Sequence, residues 1–164
     1  QVLLIKTAWG GRSLYRDFRP PSSGLPADAV LQPMLEGAKK KKPETTLDDI
    51  KTLFGASYRQ MVADVSDTLA NLKQHFPEYQ GQGYEIAGFV WWQGNKDSFN
   101  AVHAARYEQN LKRLIHMLRK DYNAPNAKFV LATGCGNPGR ESCGRVVRRR
   151  ASTSSTEARR SRRP

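Results

Sequence analysis

The chain has 164 residues, enough for one modest domain with its own hydrophobic core. No run of 18 apolar residues is present, so the sequence contains no candidate membrane-spanning helix. The net charge of +12 would suit a nucleic-acid-binding protein, but the last 20 residues carry +7 of it, from eight arginines and one glutamate. Residues 1–144 carry only +5, which argues against nucleic acid as a partner of the folded part.

The two cysteines, Cys135 and Cys143, lie near the C-terminal end of the chain. Their spacing matches no zinc-binding pattern, and no histidine or further cysteine lies close enough to complete a site. We therefore expect two free thiols, with a local disulfide as the alternative in an oxidising compartment. The sequence predicts no metal and no other cofactor.

The first predicted element is a short buried strand over residues 2–5, where four apolar residues follow one another. A double glycine, Gly10 and Gly11, follows after residues 6–9, at the carboxyl end of this segment. Adjacent glycines permit positive φ angles and a close approach of the backbone to a ligand. An ordinary tight turn is the simpler alternative, but the position at a strand's carboxyl end favours a ligand site.

Residues 19–47 contain several prolines and the lysine run 39–42, and this composition predicts an irregular, solvent-facing insertion. From Thr46 the pattern becomes helical, and an apolar stripe ends at Pro77. The stripe consists of Met61, Val65, Leu69, Leu72 and Phe76. The sequence therefore predicts a helical region between the insertion and the central strand.

Residues 84–92 are almost continuously apolar, which predicts a strand buried on both faces, as in a parallel sheet. The run ends abruptly at Gln93 and Gly94, and a helical pattern begins near His103. Ligands of open α/β sheets bind just beyond the carboxyl ends of strands. A buried strand would hold the Gln93 side-chain amide there as an oriented hydrogen-bond donor. A plain chain reversal at Gln93 and Gly94 is an equally open interpretation.

The second predicted helix ends near Asn123, and residues 128–132 form another apolar run that predicts a strand. A glycine-containing loop over residues 133–139 follows this strand. The order is strand, insertion, helix, strand, helix, strand. With right-handed crossovers it predicts an α/β fold with a parallel sheet and helices on its faces.

Both ends of the chain depart from the pattern of a whole domain. The sequence begins without Met in a strand-like run, so we expect residues before Gln1 to be missing. After Gly144 the apolar pattern is lost, and arginine and serine dominate. Residues 1–144 are therefore predicted to be a partial domain. Residues 145–164 are predicted to be either a disordered basic tail or the product of a shifted reading frame.

These segments resemble the SGNH hydrolases, specifically their sialate O-acetylesterase-like carbohydrate esterase branch. The matching stretches are residues 3–13 and 88–97, with the strand at 128–132 and its glycine loop in the expected order, so the likeness covers about residues 1–140. The resemblance implies a three-layer α/β/α, flavodoxin-like sheet, which is incomplete here. It also implies serine-dependent hydrolysis of acetyl esters on carbohydrates. Bacterial relatives are often exported, which implies a periplasmic or secreted location.

In this family a backbone N–H of the Gly-Gly block and the side-chain amide of the Gln-Gly block form the oxyanion hole, which implies Gly11 and Gln93 here. Losing one such donor typically costs on the order of 3 kcal/mol of transition-state stabilisation. The further substrate-binding positions that the resemblance implies are Gly10, Gly94, Asn95 and Asp97. Asp97 would brace the loop, whereas Asn95 stands where the family often has an acid.

Two parts of the family's active site have no match in the sequence. Ser13 and Ser57 lack the Gly-x-Ser-Asn context of the nucleophile, and none of His75, His103 and His116 lies in an Asp-x-x-His block. We therefore expect an oxyanion hole without a nucleophile, and an inactive fragment. The alternative function is a non-catalytic module that binds polyanions through the lysine run and the tail, or sugars in the glycine-lined cleft.

Overall fold

The computed structural model describes residues 2–132. This part of the chain forms six α-helices, two strands and one short 3₁₀ helix, Pro21–Ser23. The helices are α1 (Asp28–Lys39), α2 (Leu47–Leu53), α3 (Ala56–Ala70), α4 (Leu72–His75), α5 (Asn95–Ser98) and α6 (Ala101–Asp121). The strands are β1 (Gly88–Trp91) and β2 (Lys128–Leu131). The predictions for Cys135, Cys143, the loop 133–139 and the tail 145–164 lie outside the described residues.

The strands β1 and β2 pair in parallel to form a two-stranded sheet, with Gly88 opposite Lys128 and Trp91 opposite Leu131. Parallel strands need a long crossover between them, and α6 provides it. Helices connecting parallel strands are the mark of an α/β fold, as the sequence predicts. None of the helices in residues 2–132 is both long enough and apolar enough to cross a membrane.

Strand β1 is buried on one face only. Trp91 is buried and Phe89 half-buried, whereas Val90 is 68% exposed. The neighbouring Val130 of β2 is exposed in the same way. The prediction of burial on both faces is therefore wrong for the described part of the chain. Apolar composition reports how strongly side chains avoid water, but it does not show whether elements are present to cover both faces.

Residues 2–9 contain no helix and no strand. Val2 is 98% exposed and Leu4 is 80% exposed. The predicted buried strand over residues 2–5 is therefore wrong in this structure. A strand needs a neighbour for its backbone hydrogen bonds and cover for its apolar side chains, and this segment pairs with neither β1 nor β2.

The segment 19–47 is not irregular, because α1 occupies much of it. Leu31 of α1 is buried with Tyr15, Ile50 and Phe54 in a small apolar cluster. Pro33 lies inside the helix. Proline removes one backbone hydrogen bond and disfavours a helix interior, which explains the wrong prediction. Packing of the apolar face overrides that local cost here.

The first residues of α2 and α6 lie close to where the sequence pattern predicts them. Each of these two helices begins at a polar N-cap residue. At α2, the Thr46 hydroxyl accepts from the N–H of Asp49 (3.2 Å) and the Asp49 carboxylate accepts from the N–H of Thr46 (2.8 Å). At α6, the Asn100 side chain accepts from the N–H groups of Val102 and His103. Helix α6 ends at Asp121, close to the predicted Asn123.

The main hydrophobic core joins α6, α3 and β1 to the segment just after the double glycine. Its buried members are Leu14, Phe18, Tyr58, Met61, Trp91, Leu114 and Leu118. The rings of Phe18 and Trp91 meet edge to face, with centroids 5.1 Å apart. Because Leu14 and Phe18 both lie in the turn at residues 14–18, the core brings this turn against Trp91 at the carboxyl end of β1.

Candidate active site

The first part of the site is a tight turn just after the double glycine. The N–H and hydroxyl of Ser13 both donate to Oδ2 of Asp17, at 2.8 and 3.1 Å. The Ser13 hydroxyl also accepts from the N–H of Arg16 (3.1 Å). Ser13 is 2% exposed, so its hydroxyl serves the turn.

Asp17 is the buried acceptor of this turn, 3% exposed, and Arg16 and Arg12 bind its Oδ1 at 3.1 and 3.4 Å. Burial alone would raise the pKa of the Asp17 carboxyl. The hydrogen bonds from Ser13 and the charge of Arg16 outweigh burial and hold that pKa below its ordinary value. Asp17 is therefore ionised at neutral pH and holds the turn as a carboxylate.

The carboxylate of Asp97 attaches this turn to the chain beyond β1. Its Oδ2 accepts from the N–H of Leu14 (2.8 Å), and its Oδ1 accepts from the N–H of Tyr15 (2.9 Å). Helix α5 presents Asp97, which is 1% exposed. Hydrogen bonds to a carboxylate are about twice as strong as neutral ones. Asp97 therefore holds the turn at Leu14 and Tyr15 in place. The other role predicted for Asp97, contact with substrate, stays a prediction.

The side chain of Gln93 bridges the two segments that the sequence singles out. Its Nε2 donates to the backbone oxygen of Arg12 (3.0 Å) and to Oδ2 of Asp97 (2.6 Å). Arg12 directly follows Gly11, so the structure brings Gln93 to the double-glycine turn. Both N–H groups of the amide are in use, and the buried Oε1 accepts no hydrogen bond from residues 2–132.

Gly11 lies on the exposed side of this arrangement with a φ of 70°, a conformation that favours glycine. Its backbone N–H has no acceptor among residues 2–132. Gly10 is also exposed, and nothing lies within 4 Å of where a Cβ on it would be. Among residues 2–132 the Gly11 N–H is thus an unused backbone donor, one residue before the carbonyl of Arg12 that Gln93 binds.

The two remaining predicted site residues follow Gln93. Gly94 has a φ of 153°, which other residues rarely adopt, and a Cβ there would lie 3.4 Å from the hydroxyl of Tyr107. Asn95 is exposed at the start of α5, and its backbone oxygen accepts from Ser98. Asn95 is therefore accessible to a ligand, whereas Gly94 shapes the main chain.

Tyr107 of α6 fixes the main chain at Gln93. Its hydroxyl donates to the backbone oxygen of Gln93 (2.6 Å) and accepts from the indole N–H of Trp91 (3.2 Å). The sequence predicts a helix through Tyr107 but does not indicate this role. The signal was the residue type, because a tyrosine in a buried stripe needs a partner for its hydroxyl.

His103 was also missed as a neighbour of the site. Its ring stacks on Tyr15 with centroids 4.2 Å apart and an angle of 12°. Burial lowers the pKa of His103, and the Asp97 carboxylate opposes this shift only in part. The position of His103 in the sequence, shortly after the end of β1, could have indicated that it lies near the site. Among residues 2–132, no hydrogen bond joins a serine hydroxyl to a histidine ring.

The residues described contain no group of three His, Cys, Asp or Glu side chains that could hold a metal ion. What the arrangement contains chemically is the N–H of Gly11, which has no acceptor among residues 2–132, and the Gln93 amide, whose two N–H groups are bound to Arg12 and to the buried Asp97 carboxylate. Donors of this kind stabilise negative charge on oxygen.

Comparison with protein-family models matches residues 1–158 to the carbohydrate esterases described as sialic acid-specific acetylesterases. The match includes both the double-glycine turn and the Gln93 segment, and it extends into the residues predicted as a tail. Comparison with curated proteins and with solved structures gave no significant match. The chain belongs to the sialic acid-specific acetylesterase family of carbohydrate esterases.

Proposed function

We propose that this chain carries the oxyanion-binding part of a carbohydrate O-acetylesterase, with the Gly11 N–H and the Gln93 side-chain amide as the two donors. One observation carries the proposal: Gln93 Nε2 lies 3.0 Å from the oxygen of Arg12, the residue after Gly11, whose N–H has no acceptor among residues 2–132. The substrate would be an acetyl ester on a sugar. The parallel pair β1 and β2, crossed by α6, would belong to a three-layer α/β/α sheet.

For Gln93 to donate to an oxyanion, one of its two present hydrogen bonds must be exchanged. The bond to Asp97 is short, 2.6 Å, partly buried and made to a charged acceptor. The bond to Arg12 is longer, 3.0 Å, exposed and made to a neutral carbonyl. Charge-assisted bonds are the stronger ones, so the Arg12 bond is the one that a bound oxyanion would replace.

This exchange explains why Asp97 matters to the proposed chemistry without touching the ester. Asp97 would keep one amide N–H of Gln93 and so aim the other toward the developing charge. The same carboxylate fixes Leu14 and Tyr15, and through them the turn that carries Gly11. A donor pair held in this way stabilises an oxyanion without reorganising during the reaction.

We expect no turnover by this chain alone. Ser13 is committed to Asp17, and Ser57 is 8% exposed in the first turn of α3. In the serine triad the base is a histidine within hydrogen-bond reach, and neither of these two serines has one among residues 2–132. Ser13 contacts the carboxylate of Asp17 instead, whose lowered pKa makes it a weak base. The proposal therefore assigns this chain binding of the ester oxygen and not attack on the ester.

The proposal is tested by measuring both turnover and binding with an O-acetylated N-acetylneuraminic acid, and turnover also with p-nitrophenyl acetate. The rate with the chain should equal the rate without protein, whereas saturable binding of the acetylated sugar should weaken at least tenfold in Gln93→Ala. Gln74→Ala, at an exposed glutamine of α4, is the matched control and should bind like the wild type. Binding that is equal in Gln93→Ala and wild type contradicts the proposed role of Gln93. Turnover lost in Gln93→Ala would reveal a nucleophile within the chain.

A second candidate function, binding of polyanions, is favoured by the end of α1. Lys39, Lys40, Lys41 and Lys42 are all exposed, and among residues 2–132 only Lys42 of these four has an acidic partner, Glu44 at 3.8 Å. Binding through such lysines releases counterions and weakens steeply with salt. Affinity for heparin measured between 50 and 200 mM salt distinguishes this function: a steep decline supports it, and no binding at low salt excludes it.

A further inference from the structure

We propose that a cleft between α6 and the segment that leads into α1 binds a small oxyanion, the carboxylate or phosphate group of a ligand. The cleft has a volume of about 420 Å³. Its walls contain three arginines, Arg19, Arg106 and Arg113, together with Ser23 and Asn110. Neither Gly11 nor Gln93 lines it, so the proposal does not depend on the proposed esterase chemistry.

The first argument is charge. Arg106 and Arg113 lie seven residues apart on α6 and so share one face of the helix. No acidic side chain lines the cleft, and within residues 2–132 neither arginine forms an ion pair. The nearby Glu108 of α6 binds Lys112 instead, at 2.6 Å. Three uncompensated guanidinium groups repel one another, and a bound anion would relieve this repulsion.

The electrostatics of Arg19 agree with this picture. Burial lowers the pKa of its guanidinium, and the charges of Arg113 and Arg106 lower it further, against an opposing effect of Tyr15. The three cations are therefore close enough to influence one another. The guanidinium stays charged at neutral pH nonetheless, because arginine ordinarily remains protonated in proteins.

The second argument is the fixed geometry of Arg19. Its three nitrogens each donate one hydrogen bond to a backbone oxygen, those of Gly24 (2.6 Å), Tyr15 (3.1 Å) and Ser23 (3.2 Å). Its guanidinium carbon also lies 5.2 Å from the centre of the Tyr15 ring. A guanidinium has five N–H groups, so two remain for a ligand. Since the side chain is already held, little conformational entropy is lost when it binds.

The third argument is an unpaired donor in the cleft. Asn110 is 3% exposed, and its Oδ1 accepts from the hydroxyl of Ser23 (3.0 Å). Its buried Nδ2 has no hydrogen-bond partner among residues 2–132. A buried donor left unpaired is unfavourable, because it has lost its hydrogen bond to water. An acceptor oxygen of a ligand in the cleft would satisfy it, and an anion supplies such oxygens.

These groups define the chemistry of the ligand. The planar fork of a guanidinium matches the paired oxygens of carboxylate and phosphate groups. Apolar walls at Leu25, Val30 and Val102 leave room for the rest of a small molecule. The anion could therefore be inorganic phosphate or the carboxylate of an acidic sugar, and the experiment must separate these sources.

The test measures binding of three probes to the full chain at low salt by calorimetry: inorganic phosphate, N-acetylneuraminic acid, and the methyl ester of that acid. We expect saturable binding of phosphate or of the free acid. A free acid that binds at least tenfold more tightly than its uncharged ester identifies the carboxylate as the bound group. Phosphate binding without binding of the acid identifies phosphate as the ligand chemistry.

The variants Arg106→Gln and Arg113→Gln should each weaken binding of that probe at least tenfold. Lys120→Gln removes the same charge from an exposed position in the last turn of α6 and should change binding less than twofold. Asn110→Asp, which keeps the shape but replaces the donor by a carboxylate, should abolish binding, with folding checked by circular dichroism. Equal losses in Arg106→Gln and Lys120→Gln, or no saturable binding of any probe, overturn the proposal.

Discussion

The carboxylate of Asp97 accepts a hydrogen bond of 2.8 Å from the backbone N–H of Leu14, which precedes it by 83 residues. A second bond, from Tyr15, lies beside it. A buried carboxylate between two distant segments fixes their separation more tightly than apolar contacts alone would. In this protein it attaches residues 14 and 15, shortly after the double glycine, to the chain just beyond β1.

Replacement of Asp97 by asparagine should lower the free energy of unfolding by about 2–4 kcal/mol. The carboxylate accepts three N–H groups, from Leu14, Tyr15 and Gln93. An asparagine amide has only one acceptor oxygen, so at least one buried donor loses its partner whichever way the amide rotates. Urea unfolding followed by circular dichroism measures the loss.

The matched control for this substitution is Asp48→Asn. The side chain of Asp48 is 85% exposed and pairs with Lys51 on the surface of α2. Exposed ion pairs contribute little, so this variant should unfold close to the wild-type urea midpoint. If both variants unfolded at the same midpoint, the Asp97 carboxylate could not be holding the turn.

The pairing of β1 with β2 depends on a missing side chain at Gly88. A Cβ there would lie 2.7 Å from the backbone oxygen of Lys128, closer than real Cβ contacts come. Gly88→Ala should therefore force the strands apart and lower the unfolding free energy by about 1–3 kcal/mol.

Gly37→Ala is the corresponding control, and we expect it to raise the free energy of unfolding, whereas Gly88→Ala lowers it. Gly37 is exposed in α1, and nothing lies within 4 Å of its Cβ position. Alanine should stabilise the helix there by about 0.5–1 kcal/mol. Thermal unfolding of the two variants should thus move in opposite directions, and a stabilised Gly88→Ala would contradict the strand register.

The environment of Tyr122 leads us to expect that the free energy of unfolding falls at alkaline pH. Burial, followed by the charge of Asp121, raises the pKa of the Tyr122 phenol to about 12. The unfolded chain loses this proton near the ordinary value of about 10. The raised pKa thus contributes stability that is fully present below pH 10, and that stability is lost as the pH rises toward 12.

Tyr122→Phe should remove this alkaline loss. Its buried hydroxyl has no partner among residues 2–132, so the variant should be at least as stable as the wild type at pH 7. The difference in urea midpoint should then widen at pH 11. Tyr84→Phe, at a 58% exposed tyrosine, is the control. A difference that does not grow between pH 7 and pH 11 would contradict the raised pKa.

Much of this fold follows from local patterns in the sequence. Helix α6 was predicted because its apolar residues recur at helical spacing. The cap at Asn100 was not part of that prediction. The parallel pairing of β1 with β2 follows from the helix between two short apolar runs. The rule that ligand sites lie beyond strand ends singled out Gln93 and the double glycine, but no strand precedes the double glycine in the structure. The two segments are joined instead by the hydrogen bonds of Gln93 and Asp97.

The predictions that were wrong or incomplete share a physical cause: each depends on contacts between segments that are separate in the sequence. The run at residues 2–5 and the outer face of β1 are apolar, but apolarity does not indicate which partner covers them. The helix at residues 28–39 was missed because Pro33 and the lysines outweighed the contribution of Leu31, whose buried partners are distant in sequence. The roles of Tyr107 and His103 depend on contacts between elements, which no local pattern reveals.

The central claim is that the Gly11 N–H and the Gln93 amide bind the same oxyanion, and acetate offers a direct probe because its oxygens stand in for the charged ester oxygen. In nuclear magnetic resonance spectra of the ¹⁵N-labelled chain, sodium acetate should shift the Gly11 backbone and Gln93 side-chain amide signals along one saturation curve. The Gln74 side-chain signal should stay in place, and sodium chloride at equal ionic strength should move neither site signal. If acetate leaves the Gln93 side-chain signal unmoved, or shifts the two site signals with different affinities, the donors do not act together and the account is contradicted.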